Sequence, residues 1–570
     1  MEKGRIEKNY LSSASAVDSI LNEIRINRLA IPGLSDTILG GLAYLYDTHV
    51  FNAAEYSGSS HDYLVSTRQA IRFLPRFAAG LRWFLGKYIV RERHLQGSWP
   101  AYIHLLVNDK KTHASPLIVV TDFNLMSTAS TAYPLLLFED RHLTGELRFV
   151  GSMLNNVSSA VRGFKRDEAY NFWITHIQRQ PGFPCSAPLN IPLSLIVFRR
   201  YLYKYARLFG LRNYDERRRL GKWVFACFDK RINPSGTAAI FNIPNDADNT
   251  SIAAGFQILY HQWLGRSCPG DDISPLELLP SYRDQNRGQK ERNSAMKEGN
   301  TGAFLTWFRD EHLPTFSQPE KGIIPLGINN IDPVINANVL FVLSLARKTS
   351  YPGFTEAIRF IADLIIQKSW QQASHYYPEK YVFPYALSRA WRDSGIRIPE
   401  LDAVIPQLMV QVLDEWGSPE SLLFQAINKR SSKPDGFVHK TSLALITLLN
   451  LGRTAAESQG LAEQYDGIVT TAVKVILQDR KMTKPRQTGT RMLFAGFTMN
   501  FWDSGILYSS SLHQLAHWRS HAQTTALVIE ALTKYILAYD LSGNGFLSNR
   551  LKVKFEDQKW SLGLNDLPTL

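Results

Sequence analysis

Residues 242–254, Asn-Ile-Pro-Asn-Asp-Ala-Asp-Asn-Thr-Ser-Ile-Ala-Ala, carry the clearest signal in this 570-residue chain. A turn at Pro244 is followed by Asp, Asn, Thr and Ser side chains, which accept hydrogen bonds from the free N–H groups of a first helical turn. The stretch therefore predicts a helix start with Asp246 and Asp248 at its positive end, where each carboxylate perturbs the pKa of the other. Helix capping alone would also explain these residues, so their role depends on the rest of the chain.

Most of the chain repeats apolar residues at steps of three and four, as amphipathic helices do. Helices are predicted at 14–29, 64–90, 146–162, 192–209, 250–264, 334–347, 355–368, 403–415, 440–451, 465–478 and 522–539. Short β-branched runs such as 117–121 are too few to build a sheet. The pattern predicts an all-α protein with no sheet beyond an isolated hairpin.

Four of the predicted helices begin with small polar residues, near Asn249, Asn336, Thr441 and Thr524. Their spacing corresponds to two helical hairpins each, at the roughly 40–50 residues typical of such repeats. Stacked αα-hairpins bury their apolar faces against one another, so equivalent helix starts should converge on one cavity.

The predicted organisation is an N-terminal helical unit at 1–209 packed against a repeat domain at 210–570. Within the repeat domain, the polar segment 281–302 is predicted to be an exposed loop.

Two short motifs resemble the repeats of the terpene-cyclase superfamily of αα toroids: Gly97-Ser98-Trp99, and Asp435-Gly436-Phe437 followed by the helix start at 441–445. Residues 246–250 resemble the family's acid motif, Asp-x-Asp-Asp-Thr, with Asn249 in place of the last aspartate. The resemblance covers about 210–540. It implies an αα toroid, the (α/α)6 barrel of squalene–hopene and class II diterpene cyclases.

The same resemblance implies an isomerase or lyase that starts the cyclisation of a linear isoprenoid by protonating it. Asp248 would be the general acid, and Asp246 would hold and orient its proton. Asn249 can donate an amide hydrogen bond, but it cannot supply the further negative charge of the family's last aspartate.

Protonation of an alkene or an epoxide needs a carboxylic acid that keeps its proton at neutral pH. Burial raises a carboxyl pKa, and a neighbouring carboxylate raises one member of the pair further. Aromatic faces would then stabilise the cation, each by about 0.5–2 kcal/mol. The predicted substrate-binding residues are Thr250, Asp332, Asn336, Tyr377, Tyr381, Tyr385, Phe501, Trp502 and Tyr508.

Two other functions stay open from the sequence. In a carbohydrate-active (α/α)6 enzyme, separated carboxylates such as Asp248 and Asp332 would flank a glycosidic bond. A non-catalytic αα scaffold would bind a lipid or a protein on its concave surface. A dry aromatic cavity at Asp248 would favour the cyclase, an open cleft with two facing carboxylates the carbohydrate enzyme, and a filled core the scaffold.

No metal or cofactor is predicted. Glu139-Asp140 and Asp271-Asp272 lack the third acid of a magnesium-binding Asp-Asp-x-x-Asp motif, so Mg²⁺ is expected only if the substrate is a diphosphate. Cys185, Cys227 and Cys268 fit no metal-ligand spacing, and the sequence has no Gly-rich phosphate loop.

The net charge of +13 is densest between Arg199 and Arg219, but no nucleic-acid-binding module accompanies it. The expected partner is therefore a small hydrophobic molecule and not a nucleic acid. A basic, aromatic-rich surface leaves peripheral contact with a membrane open. The chain shows neither a signal-peptide core nor a transmembrane stretch, which predicts a cytoplasmic protein with membrane contact at its surface only.

Overall fold

A computed structural model describes residues 34–53, 94–105, 118–138, 148–176, 185–186, 188–189, 242–285, 300–310, 321–322, 324, 329–417, 435–485, 494, 498–509 and 516–540. These residues are mostly helical, which confirms the helical fold class. The helices predicted at 14–29, 64–90 and 192–209 lie outside the described residues. No helix within the described ranges combines the length and the hydropathy that crossing a bilayer requires.

The described α-helices of eight or more residues are α1 (Leu34–Thr48), α2 (Leu125–Ala132), α3 (Arg148–Arg162), α4 (Ala247–Trp263), α5 (Pro333–Leu345), α6 (Phe354–Ile366), α7 (Val382–Arg392), α8 (Ile405–Gly417), α9 (Phe437–Leu451), α10 (Ala462–Gln478) and α11 (His521–Asp540). Eight of them match predicted helices to within a few residues. The other three, α1, α2 and α7, are additions to the prediction.

Six helices make a closed series of contacts in the order α2, α4, α5, α7, α9 and α11, and α11 packs back against α2. Nearly every residue of α4, α5 and α9 is buried. A helix contacted on all sides must carry small or apolar residues around its whole circumference, which explains why these sequences lack a polar stripe. The remaining helices pack on members of this series: α3 on α2 and α4, α6 on α5, α8 and α10 on α9, and α1 on α11.

A four-stranded antiparallel sheet shows that the prediction of no sheet beyond an isolated hairpin was wrong. Its strands are β1 (Ala101–Leu105), β2 (Ile118–Asp122), β3 (Tyr508–Ser509) and β4 (Ala516–Arg519), arranged in the order β2-β1-β4-β3. Each strand is only two to five residues long, and β1 finds its partner β4 near the other end of the described chain. Local patterns cannot show such a pairing, because a strand this short has too few residues to display an alternation.

The domain boundary predicted at residue 209 lies outside the described residues and stays a prediction. Helix α2, which precedes it, packs against α4 and α11, which follow it. The predicted loop at 281–302 is described only at its two ends. There the Asp284 carboxylate accepts hydrogen bonds from the backbone N–H and the hydroxyl of Thr301, at 2.9 and 2.8 Å.

Gly255 in α4 allows a close approach of Tyr133, whose hydroxyl donates a hydrogen bond to the Ile252 carbonyl at 3.0 Å. A Cβ atom at position 255 would lie 2.5 Å from that hydroxyl oxygen. We therefore expect Gly255→Ala to lower the free energy of unfolding by about 1–3 kcal/mol, although alanine has the better helix propensity. Denaturant titration measures the loss. Adding Tyr133→Phe should restore part of the stability, and an equally stable Gly255→Ala protein would contradict the close approach.

Candidate active site

Asp246 is the N-cap of α4, as the sequence predicts. Its backbone is extended, with φ −141° and ψ 161°. One carboxylate oxygen accepts a hydrogen bond from the Asn249 backbone N–H at 2.6 Å, and the other accepts one from the Asn249 amide at 2.7 Å. Asn249 therefore donates one hydrogen bond to each oxygen of the cap carboxylate.

Asp248 lies in the first turn of the same helix and is also buried. Its Oδ1 atom accepts a hydrogen bond from the Asn338 amide at 2.8 Å, and its Oδ2 atom accepts one from the Tyr377 hydroxyl at 2.5 Å. Burial and the charge of Asp248 hold the pKa of Tyr377 well above its ordinary range, so the hydroxyl keeps its proton and acts as a donor. Asn338 on α5 and Tyr377 in the segment before α7 thus orient the two oxygens of Asp248.

The two carboxylates have raised pKa values, for reasons that differ between them. Burial first, and then the charge of Asp248, raise the pKa of Asp246 to about 8. Burial raises the pKa of Asp248 to about 6, and the hydrogen bonds from Tyr377 and Asn338 oppose the rise because they favour the charged form. Asp246 therefore keeps its proton to a higher pH than Asp248 does.

The raised pKa values predict how stability depends on pH. An unfolded chain releases its Asp protons near pH 4 (about 3.9 for a free side chain), whereas folded Asp246 keeps its proton up to about pH 8. The folded state then binds more protons than the unfolded state, so stability falls as the pH rises through this window. We expect the free energy of unfolding of Asp246→Asn, measured relative to that of the wild type, to increase as the pH rises from 5 to 8. Parallel denaturation curves at the two pH values check this, and a constant difference would contradict it.

A cavity of about 50 Å³ lies beside Asn338 and Tyr377, the two hydrogen-bond partners of Asp248. Residues at or next to the four helix starts predicted to converge line it: Ile252 from α4, Asn338 from α5, His439 from α9 and Gln523 from α11. Most of its wall is apolar or aromatic. Asp248 does not itself line the cavity, but both of its hydrogen-bond partners do.

Arg389 on α7 also lines the cavity and is 7% exposed. Its Nη2 atom donates to the side-chain amide oxygen (Oδ1) of Asn338 at 2.7 Å, so the Asn338 side chain links the guanidinium to Asp248. The guanidinium carbon lies 4.9, 4.7 and 5.5 Å from the ring centroids of Tyr133, Phe341 and Tyr385. These aromatic faces already hold a permanent cation of the protein.

Three of the six aromatic residues predicted to bind substrate line the cavity: Tyr377, Tyr385 and Tyr508. The hydroxyl of Tyr508 donates to the Asn124 side chain at 2.8 Å and also bonds the Ser127 hydroxyl. Two polar partners from the start of α2 therefore fix the position of this ring at the cavity wall.

The structure places Tyr381, Phe501 and Trp502 elsewhere in the core. Tyr381 packs edge-on against Trp416 at 5.4 Å, and Phe501 stacks on Tyr44 at 5.1 Å. The indole N–H of Trp502 donates to a backbone carbonyl of α10 at 2.9 Å. Aromatic residues that are close in sequence thus pack in different parts of the structure, so only some members of each aromatic cluster line the cavity.

The polar residues Thr250, Asp332 and Asn336 also lie off the cavity, where they hold loops onto the helix starts. The Thr250 hydroxyl accepts a backbone N–H at 3.2 Å, and Asn336 exchanges two hydrogen bonds with the backbone of the loop packed on α5. Asp332 caps α5 through one oxygen and accepts from the Ser374 hydroxyl and the His375 N–H, both at 2.8 Å, through the other. Its carboxylate therefore has no oxygen left for a substrate.

A second polar cluster lies at the end of α4, where ligand atoms of His261, Cys268 and Asp272 come within 4.8 Å of one another. The cysteine spacing did not predict this grouping. Arg162 donates to both oxygens of Asp272, at 3.1 and 2.8 Å, and so neutralises the carboxylate. A metal ion would have to displace this guanidinium, so we assign the cluster to an ion pair.

Comparison with known proteins gives neither a matching family model nor a matching curated protein. Among solved structures, a substrate-bound variant of the type II terpene cyclase MstE from Scytonema, in complex with geranylgeranyl dihydroxybenzoate, is 12% identical, with a TM-score of 0.39 and coverage of 83% of this chain and 99% of that one. The apo form of MstE has 12% identity, a TM-score of 0.38 and coverage of 83% and 98%. A protein from Actinoplanes has 11% identity, a TM-score of 0.37 and coverage of 82% and 99%. At TM-scores below 0.5, what the site can do has to be argued from its own geometry.

Proposed function

We propose that the protein is a class II terpene cyclase-like enzyme that starts the cyclisation of a linear isoprenoid by protonating it, with Asp248 as the general acid. One observation carries the proposal. A buried pair of carboxylates with raised pKa values is hydrogen-bonded to two side chains that line a mainly apolar and aromatic cavity.

The geometry supports different roles for the two carboxylates. Asp246 is turned towards Asn249, whereas Asp248 is held by the two cavity-lining partners Asn338 and Tyr377. When the proton passes from Asp248 to an alkene carbon or an epoxide oxygen, the positive charge moves to the substrate and Asp248 becomes a carboxylate. Hydrogen bonds from Asn338 and Tyr377 stabilise that carboxylate, which makes Asp248 the stronger acid of the pair.

We further propose that the closed series of six helices is the inner ring of an αα toroid, the (α/α)6 barrel, with the N-terminal unit packed against it. The helices that pack on single members of the series support this, because an outer helix would contact the inner helices next to it. In such a ring the starts of the inner helices surround one cavity, and Asp248 belongs to one of those starts.

The cavity is smaller than any isoprenoid. About 50 Å³ is room for a few water molecules, since one water needs about 10–15 Å³ by the same measure. The cavity must therefore widen when the substrate enters.

The carbohydrate alternative finds no support in the site. It would need Asp332 to face Asp248 across a polar cleft, but the oxygens of Asp332 are occupied by its own helix and by the loop at Ser374 and His375. The cavity wall is mainly apolar, and a sugar site would need hydrogen-bonding groups for many hydroxyls.

Product analysis tests the proposal. The purified protein would be incubated with linear isoprenoids of sesquiterpene to triterpene length, with their epoxides and with their diphosphates, with and without Mg²⁺. We expect cyclised products from at least one substrate, and their rate of formation should fall as the pH rises through about 6, where Asp248, the proposed acid, loses its proton. Formation of linear alcohols alone, or activity that increases steadily above that pH, would contradict protonation by this pair.

A further inference from the structure

Three side chains that line the cavity carry buried polar atoms without a hydrogen-bond partner among the described residues. They are the Nε atom of Arg389, both ring nitrogens of His439 and the amide oxygen of Gln523. The residues are 7%, 2% and 9% exposed, respectively. A buried polar atom without a partner costs free energy, so three such residues around one cavity indicate a bound molecule that supplies the partners.

Of the three residues, Arg389 costs the most free energy when its buried polar atoms lack partners, because it is charged. Its one hydrogen bond goes to the uncharged amide of Asn338, and its other close neighbours are aromatic rings. The nearby carboxylates are Asp248, Asp393 and Glu530. Asp248 is hydrogen-bonded to Asn338 and Tyr377, and the other two lie against Lys534, at 2.7 and 3.3 Å. The guanidinium therefore has no carboxylate of its own within ion-pair distance among the described residues.

Building on the proposed function, we infer that this cavity recognises an isoprenoid by an anionic head group, a carboxylate, which accepts hydrogen bonds from Arg389 and His439. The prenyl chain would run from this head group along the apolar wall and fold back, so that its reacting end meets Asp248, which is linked to Arg389 through the Asn338 side chain. The amide oxygen of Gln523 would accept a hydrogen bond from a hydroxyl beside the carboxylate.

The donors and charges around the cavity favour a carboxylate over a diphosphate. Among the described residues that line it, Arg389 alone carries a permanent positive charge. Burial lowers the pKa of His439 to about 3, so its imidazole is neutral and offers one N–H donor and one acceptor. One cation and one neutral donor match a singly charged group, whereas a diphosphate carries several charges and usually binds more cations or Mg²⁺.

Binding measurements with four ligands of equal chain length test the inference. Calorimetry on the full-length protein would compare a farnesyl-length carboxylic acid, the corresponding alcohol, the hydrocarbon and the diphosphate. We expect the acid to bind about tenfold or more tightly than the alcohol, a difference typical of one charge-assisted hydrogen bond. Equal affinities of acid and alcohol would overturn the inference, and so would tightest binding of the diphosphate.

Two variants locate the preference in the structure. Arg389→Gln should remove most of the preference for the acid over the alcohol. Gln523→Glu adds a negative charge on a side chain of nearly the same shape and should selectively weaken binding of the acid. Gln523→Met should leave the preference for the acid over the alcohol unchanged. The exposed Gln459→Glu controls for a change in net charge. A preference that survives in both Arg389→Gln and Gln523→Glu would overturn the inference.

Binding and turnover are scored separately, so this inference and the proposed function can fail independently. If the wild-type protein prefers the acid but yields no cyclised product, the head-group site is supported and the proposed cyclase activity is contradicted. If the protein cyclises the hydrocarbon and the alcohol as readily as the acid, the proposed cyclase activity is supported and the head-group site is contradicted.

Discussion

Asp248→Asn is expected to reduce cyclisation by about 10²–10⁴-fold, the usual contribution of a general acid, while the protein stays folded. The amide has nearly the size of the carboxyl group and can still accept the hydrogen bond from Asn338. It cannot deliver a proton to an alkene. Product formation by gas chromatography measures the loss, and a thermal melt and a circular-dichroism spectrum verify the fold.

Two neighbouring variants serve as matched controls. Asp246→Asn should lower the rate less than Asp248→Asn does, since in the proposed mechanism Asp246 only orients the proton that Asp248 transfers. Asn249→Asp, which completes the acid motif that the sequence resembles, should leave the protein active or make it faster. If Asp248→Asn turns over as fast as the wild type, the assignment of Asp248 as the acid fails, and helix capping becomes the better account of the motif.

The part of the site that could be predicted from the sequence is the part formed by neighbouring residues. Asp246 and Asp248 lie two positions apart before an apolar run, and capping chemistry alone places them at a helix start. Their partners Asn338 and Tyr377 are distant in sequence, and only the packing of α5 and the segment before α7 against α4 brings them to the carboxylate. Asn338 gave a weak signal, as a second asparagine in an otherwise apolar helix.

Arg389 was missed together with its helix. Helix α7 begins within an aromatic-rich segment and contains Pro384 in its first turn, so its residues read as a cluster of aromatics rather than as a helix. Tyr385 and Arg389 are four residues apart, the spacing that places two side chains on one face of a helix. An arginine at that distance from a tyrosine in a mainly apolar helix was the available signal.

The helices were predicted better than the sheet because their evidence is local. A helix of thirteen or more residues shows its period several times, as α5 and α10 do, whereas β3 has two residues and β4 has four. The strand at Ile118–Asp122 is β-branched and apolar, but nothing in its own sequence indicates that β1 pairs with β4 across most of the chain. Long-range strand pairing depends on the packing of everything between the strands.

Trp99→Ala is expected to lower the free energy of unfolding by about 3–5 kcal/mol, the range for removing a buried aromatic side chain. The indole is fully buried against the ring of His49, at 4.5 Å between centroids, and its N–H donates to the Leu45 carbonyl in α1 at 2.8 Å. Trp99→Phe keeps most of the buried area but leaves that carbonyl without this donor, so it should cost about 1–3 kcal/mol. Met482→Ala, at a side chain that is 65% exposed, controls for apolar truncation at the surface. The denaturant midpoint should be highest for Met482→Ala, lower for Trp99→Phe and lowest for Trp99→Ala. A Trp99→Ala protein that unfolds at the wild-type midpoint would show that the Gly97-Ser98-Trp99 motif does not anchor α1 to the core.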